Sequence, residues 1–369
     1  MSELNSSNLR KEHGNEGPDL VGTTELTSPY FMVPPSGTTA ERPQNPQPGT
    51  LRFNTDIGSL EFFRGDTIGW ESIDRKPSPP LGTRGIAAGG EANVNTMNYI
   101  TVSTIGNSAD FGDLSEARGY MGGCASETRG IMGGGQTPTI VNTIDYFTIA
   151  TLGDAANFGD LAVVKNQVGT TSSSTRGLWW CGAPSHQNSI NYITHASLGD
   201  ATDFGDDDVN RDALFGGIQS STRGVMSGGN NSGTRQDVQS YITMASTGNA
   251  VDFGNLTESR NTTACSSPTR GVCQGGDPNS SAGTNIVDYI EIATTGNATD
   301  FGDLSQARRN GCSVSSPLRA VCIGGKVGST EQSTMDYGTI ATLGNYIDFG
   351  DVDPTEVGRG AVSNGHGGL

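Results

Sequence analysis

Six arginines are the first candidates for chemistry in this chain. Arg84, Arg129, Arg176, Arg223, Arg270 and Arg319 recur at intervals of 45, 47, 47, 47 and 49 residues. Between them runs a phrase of the type Asp-Phe-Gly-Asp-Leu, whose second acid is Asp113, Asp160, Asp206, Asp303 or Asp351, with Asn255 as the exception. A ring of guanidiniums could grip carboxylates or sulfated sugars. It could equally fork onto those aspartates, or onto backbone carbonyls of its own or the next repeat. A residue placed once in every copy serves the fold before it serves chemistry, so the six are read as a structural ring.

The third copy departs most from the pattern, and a binding surface is expected there at Trp179, Trp180 and His186. Large aromatics beside polar loops are what sugar-binding and protein-binding surfaces use. Trp179 and Trp180 are neighbours on one strand, so at least one of them points into the core. The acidic run Asp206-Asp207-Asp208-Val209-Asn210 could attract Ca²⁺, but it lacks the sixth-position glycine and distal glutamate of an EF-hand loop. The four histidines, His13, His186, His195 and His366, show no metal-ligand spacing. G-x-S-x-G, H-E-x-x-H, a Walker A loop and a strand-to-helix G-x-G-x-x-G are all missing. No catalytic residue, metal or cofactor is therefore assigned.

Six cysteines occur without a C-x-x-C pair, which argues against a zinc ribbon. Cys265/Cys273 and Cys312/Cys322 could face each other across hairpins, but small buried free thiols are expected. The start of the chain has no basic, apolar leader. Synthesis in a reducing cytoplasm follows from that reading. The 369 residues carry a net charge of −17, which disfavours nucleic acid and anionic membranes as partners. No apolar run is long enough to span a bilayer.

The elements that must hold these residues follow from the repeat. A period near 47 residues indicates a propeller or solenoid. With 54 glycines and 33% hydrophobic residues, many short strands are expected rather than a helical core. In the second copy, Gly130–Gly135 reads as a small-residue strand ending in a glycine bend. Thr143–Thr151 is a β-branched and aromatic central strand, Asn157–Leu161 a short outer strand, and a further strand precedes Arg176. Four strands per repeat make a propeller blade.

The order of Gly-Gly bend, tyrosine strand, aromatic strand and arginine resembles the kelch repeat. The pairs Gly89-Gly90, Gly134-Gly135, Gly228-Gly229, Gly275-Gly276 and Gly324-Gly325 match it, while the third copy has Gly182-Ala183. Tyr99, Tyr146, Tyr192, Tyr241, Tyr289 and Tyr337 supply the tyrosine. Phe111, Phe158, Phe204, Phe253, Phe301 and Phe349 stand where kelch repeats usually carry tryptophan. The resemblance covers residues 84–369. It implies an all-β, six-bladed propeller in which the segment after Arg359 completes the first blade and closes the ring.

Upstream, residues 1–27 read as an extended polar arm, 28–75 as a small β attachment module, 76–82 as a Pro-rich linker and 83–369 as the propeller. Leu51, Phe53, Leu60, Phe62 and Trp70 are expected to be the inward or docking residues of a β-meander. The run Gly49-Thr50-Leu51-Arg52-Phe53-Asn54-Thr55-Asp56, followed by Leu60-Glu61-Phe62 and Trp70, resembles short modules of bacteriophage fibre and appendage proteins. The repeat Ile292–Leu304 is similar to repeats in phages of marine bacteria, including cyanophages. Together they imply a virion structural protein, bound to other virion proteins through residues 1–75. Its propeller would be displayed for adhesion to a host-surface glycan or protein, or for particle decoration, and homo-oligomers are allowed. The alternative is a propeller glycosidase acting on host-surface polysaccharide.

Overall fold

In the computed structural model the described residues are 34–67, 69–72, 83–213 and 215–369. The expected arm (1–27) and linker (76–82) lie outside them. The chain divides into two compact units, Met1–Pro77 and Ser78–Leu369. Its described residues are nearly all β-structure in small antiparallel sheets, compatible with a propeller-like arrangement.

In the first unit, Leu51–Asn54, Ser59–Phe63 and Trp70–Ser72 form a meander, with Ser36–Gly37 added in parallel beside Leu51–Asn54. The side chains alternate as a strand requires, but the polar set is the buried one. Arg52, Asn54 and Glu61 are at most 5% exposed, whereas Leu51, Phe53, Leu60 and Phe62 are half-buried on the opposite face. Glu61 explains the inversion. Arg42 grips it through Nε at 3.2 Å and Nη2 at 2.6 Å, and Asn54 donates at 3.1 Å. The Arg42 fork holds the Glu61 carboxyl below its usual range. Trp70 lies on this polar face, 5.6 Å from Phe63 and under the guanidiniums of Arg42 and Arg52. The expected docking set is therefore split: four residues share one face and Trp70 lies on the other.

The second unit repeats one sheet. Sheet 2 is typical, with strands Gly122–Ala125, Arg129–Gly133, Thr143–Thr148 and Ala156–Asp160 in spatial order. Sheet 3 has Gly169–Ser172, Arg176–Gly182, Gln187–Thr194 and Thr202–Asp206. Sheet 4 has Ile218–Gln219, Arg223–Ser227, Val238–Thr243 and Val251–Asn255. Sheet 5 has Asn261–Ser266, Arg270–Asp277, Thr284–Glu291 and Thr299–Arg308, plus Phe215–Gly216 in parallel at its edge. Sheet 6 has Cys312–Ser315, Arg319–Ile323, Thr334–Thr339 and Ile347–Asp351. Sheet 1 is assembled from distant segments: Gly360–Ser363 pairs with Arg84–Ala88, followed by Thr96–Thr101 and Ala109–Asp113.

Each apolar cluster is shared by two consecutive sheets. Ile86, Met97 and Phe111 of sheet 1 pack with Met132 and Phe147 of sheet 2. At the other end of the series, Val321, Met335 and Phe349 of sheet 6 pack with Ala87 and Ile100 of sheet 1. Both faces of each of these six sheets are thus covered. That is why Trp179 and Trp180, on opposite faces of one strand, are both fully buried, the first in the core toward sheet 2 and the second in the core toward sheet 4.

Candidate functional site

The Asp-Phe-Gly-Asp phrase is built around a β-bulge. In sheet 1, Met97 pairs with Gly112 and Asn98 with Asp110, so Phe111 is skipped and turned inward. Gly112 has φ +142°, which a side chain would resist, and its backbone abuts the carbonyl of Gly153 in sheet 2. Gly153 N donates to Phe111 O at 2.9 Å, and Asp113 N donates to Asp154 Oδ1 at 3.0 Å. The same pair of bonds recurs at each junction. From sheet 6 to sheet 1 it is Gly106 N to Phe349 O and Asp351 N to Asn107 Oδ1.

The six arginines stand on the tyrosines of their own sheets, with guanidinium carbons 4.5–5.0 Å from the ring centroids. Each then donates to a carbonyl of the next sheet. Arg84 reaches Ile149 O, Arg129 His195 O, Arg176 Met244 O, Arg223 Ile292 O and Arg270 Ile340 O. Arg319 reaches Val102 O and Ser103 O in sheet 1. Among the described residues no ion pair joins these arginines to the Asp-Phe-Gly-Asp acids. Of the two structural partners open to them, they take the carbonyls.

A second set of cations escaped the sequence reading. Arg118, Lys165, Arg211, Arg260, Arg308 and Arg359 lead into the first strands and are at most 3% exposed. Four form buried ion pairs: Arg118–Asp145 at 2.9 Å, Arg211–Asp207 at 2.8 Å, Arg260–Asp288 at 2.8 Å and Arg308–Asp336 at 3.0 Å. Arg359 instead meets Asn98 Oδ1 at 2.5 Å. Lys165 donates to Ser189 O at 2.6 Å, and its burial lowers its pKa to about 8. The available signal was one cation per repeat shortly before each first strand, with Asn, Asp or Ser immediately before each repeat tyrosine. Neither feature looks functional until the fold brings them together.

The expected binding trio is not one surface. Trp179 Nε1 donates to Gly122 O and Trp180 Nε1 to Thr171 Oγ1, and neither indole reaches solvent. They are core residues, which corrects the surface role expected of them. His186 remains half-buried on the loop side, its Nδ1 2.8 Å from Asp212 Oδ2. From there a polar chain runs across three sheets. Asn230 donates to Asp212, and Arg235 binds both Asn230 and Asp277, the latter at 2.6 Å. Across another junction Lys326 pairs with Glu91 at 2.7 Å. Two of the three acids weighed for Ca²⁺ are already engaged: Asp207 with Arg211 and Cys181, and Asp208 with Ser240. Among the described residues no group of three or more His, Cys, Asp or Glu is placed to hold a metal ion.

No protein-family model matches this chain, and no curated protein matches it.

The first strands of all six sheets meet around a small central cavity of about 30 Å³, room for a water or two. Hydroxyls stitch these strands together. Thr170 donates to Gly123 O, Ser266 to Gln219 O, Ser313 to Ala264 O and Ser315 to Ser266 O. His366 lies against this cavity and is buried. The six cysteines are free and buried, and burial pushes all their thiols up. Strand register sets Cys265 opposite Val272 and Cys322 opposite Ser313, so neither of the two hairpin pairs weighed is in register, and the thiols are free as expected.

Proposed function

We propose that residues 83–369 form a closed six-bladed propeller. We further propose that the protein is a virion structural component, in which residues 28–75 dock on other virion proteins and the propeller is displayed for host-surface adhesion or particle decoration. Closure is supported by three kinds of contact that run from each sheet to the next and from the sixth to the first: glycine to phenylalanine carbonyl, arginine to carbonyl, and shared apolar core. Projections of the isolated protein by electron microscopy should show a disc with six lobes. An open arc would remove the ring.

The observation that carries the docking half is the face of Leu51, Phe53, Leu60 and Phe62. Four half-buried apolar side chains on a small sheet whose other face is closed by ion pairs present a surface suited to a protein partner. The resemblance of Gly49–Asp56 to phage fibre modules gives that partner its class. A fusion of residues 1–80 to an unrelated domain should join particles that lack this protein, and residues 81–369 alone should not. Normal incorporation of the bare propeller would reverse the assignment. Adhesion is assigned to the loop side around His186 and Asp212, because the tryptophans are unavailable. Phage carrying the second-repeat loop in place of residues 183–189 should adsorb more weakly, and unchanged adsorption would remove this site. Release of reducing sugar from host envelope by the purified protein would replace adhesion with catalysis.

A further inference from the structure

The segment that follows the closing strand does not leave the ring. Asn364 Oδ1 accepts from Arg84 N at 2.8 Å, and Asn364 N donates back to Arg84 O at 3.3 Å. The chain then crosses the ends of the first strands. His366 Nε2 lies 2.8 Å from Ala125 O in sheet 2 and 3.3 Å from Ser172 Oγ in sheet 3. Gly367 packs on the carbonyls of Gln219 and Ser267 in sheets 4 and 5, and Gly368 on that of Ser172, each so closely that a side chain would overlap them. Residues of four sheets besides its own therefore hold this strap over the central cavity.

The imidazole determines whether the strap can stay. Ala125 O only accepts, so Nε2 carries the ring proton. Gly368 N–H only donates, and it points at Nδ1 from 3.1 Å, so Nδ1 must carry a lone pair. A second proton on Nδ1 would set one N–H against another and place a charge where nothing balances it. Of the titratable and charged groups nearby, His195 bears on the same site and is itself lowered by His366. Cys124 and His195 both flank Gly177, Arg129 is the other charge acting on His195, and Arg84 sits on the strand that Asn364 binds. Among the described residues, the influences on the His366 pKa are its burial and its bond with Ala125 O.

We propose that Asn364–Leu369 is an acid-releasable strap that seals one mouth of the central cavity, with neutral His366 as its latch. Burial, which lowers the His366 pKa to about 4, places the release in mildly acidic solution. As the pH falls from about 6.5 toward 4 the lifted strap is increasingly favoured, because its free imidazole takes up the proton that the buried one refuses, and the cavity opens to solvent while the sheets persist.

Amide hydrogen exchange read by mass spectrometry tests this on the whole protein. Corrected for intrinsic rates, protection of the peptide covering 364–369 should fall at least tenfold between pH 7 and pH 4, relative to the peptide covering Arg129–Gly133. His366→Gln keeps a donor for Ala125 O but cannot titrate, so its strap protection should be the same at both pH values. Should that variant fail to fold, NMR titration of His366 in the natural protein decides the matter. Three outcomes overturn the proposal: uptake of the proton without loss of strap protection, equal loss from strap and strand, and a pH response retained in a folded His366→Gln protein.

Discussion

Arg260 and Asp288 form a pair 2.8 Å apart with both side chains fully buried, and Thr257 Oγ1 donates to the same carboxylate at 2.6 Å. Asp288→Ala leaves a buried guanidinium without its counter-charge and should destabilise the fold by about 3–5 kcal/mol. The double variant Arg260→Met/Asp288→Leu should recover much of that loss, because no unpaired charge remains. Denaturant unfolding of the three proteins checks both statements. Arg223 is a milder case. It stacks on Tyr241 at 4.8 Å and donates to Ile292 O at 2.9 Å while staying half-exposed. Arg223→Ala should cost about 1–3 kcal/mol without changing the structure of the loop side. The buried histidines set the pH response. His195 and His366 both fall from 6.5 to about 4, chiefly through burial. The unfolded chain takes up their protons first, so stability holds above about pH 6.5 and declines below it. The decline is complete below about pH 4, by up to about 3 kcal/mol for each ring. Unfolding midpoints at pH 7, 5.5 and 4.5 should fall in that order, and His366→Gln should remove about half of the decline, His195 supplying the rest.

At the scale of the element, the repeated bulge does most to join one sheet to the next. Gly302 has φ +141°, and a Cβ there would stand 2.6 Å from the Gly344 carbonyl group, which is backbone and cannot rotate away. Gly302→Val should therefore destabilise the protein by on the order of 2 kcal/mol or more, lowering the thermal midpoint. Gly296→Ala is its control: its φ is also positive, at +158°, but nothing lies within 4 Å of the added carbon. The smaller unit shows how far pattern reading reaches. Its strands and turn were legible from alternation around Leu51–Asn54 and Ser59–Phe63. The inward face was not, because Arg42, the residue that makes Glu61 burial possible, precedes the strands and meets Glu61 only through the fold. Trp70 shares that inward face, since a tryptophan under two arginines is as well housed as one in an apolar core.

For the molecule as a whole, the decisive pairing is between Gly360–Ser363 and Arg84–Ala88. Without it, the open edge of Arg84–Ala88 would be exposed and the contacts from sheet 6 to sheet 1 would lose their footing. Removal of residues 359–369 should abolish the single cooperative unfolding transition. An unchanged transition would show that the sheets stand independently.

The sequence alone determined the repeat, its strand order, the all-β class and the return of the final strand to the first sheet. These follow from a period and from side-chain alternation, which are local properties of the chain. Only the tertiary structure decided what each repeated residue is for. The six arginines bind carbonyls because the neighbouring sheet presents them, at a separation of some seventy residues that no motif encodes. The second cation set and the strap around His366 depend on partners brought from other repeats. Trp179 and Trp180 are core residues because stacked sheets cover both faces of a strand, and a sequence does not reveal how many of its faces will be covered.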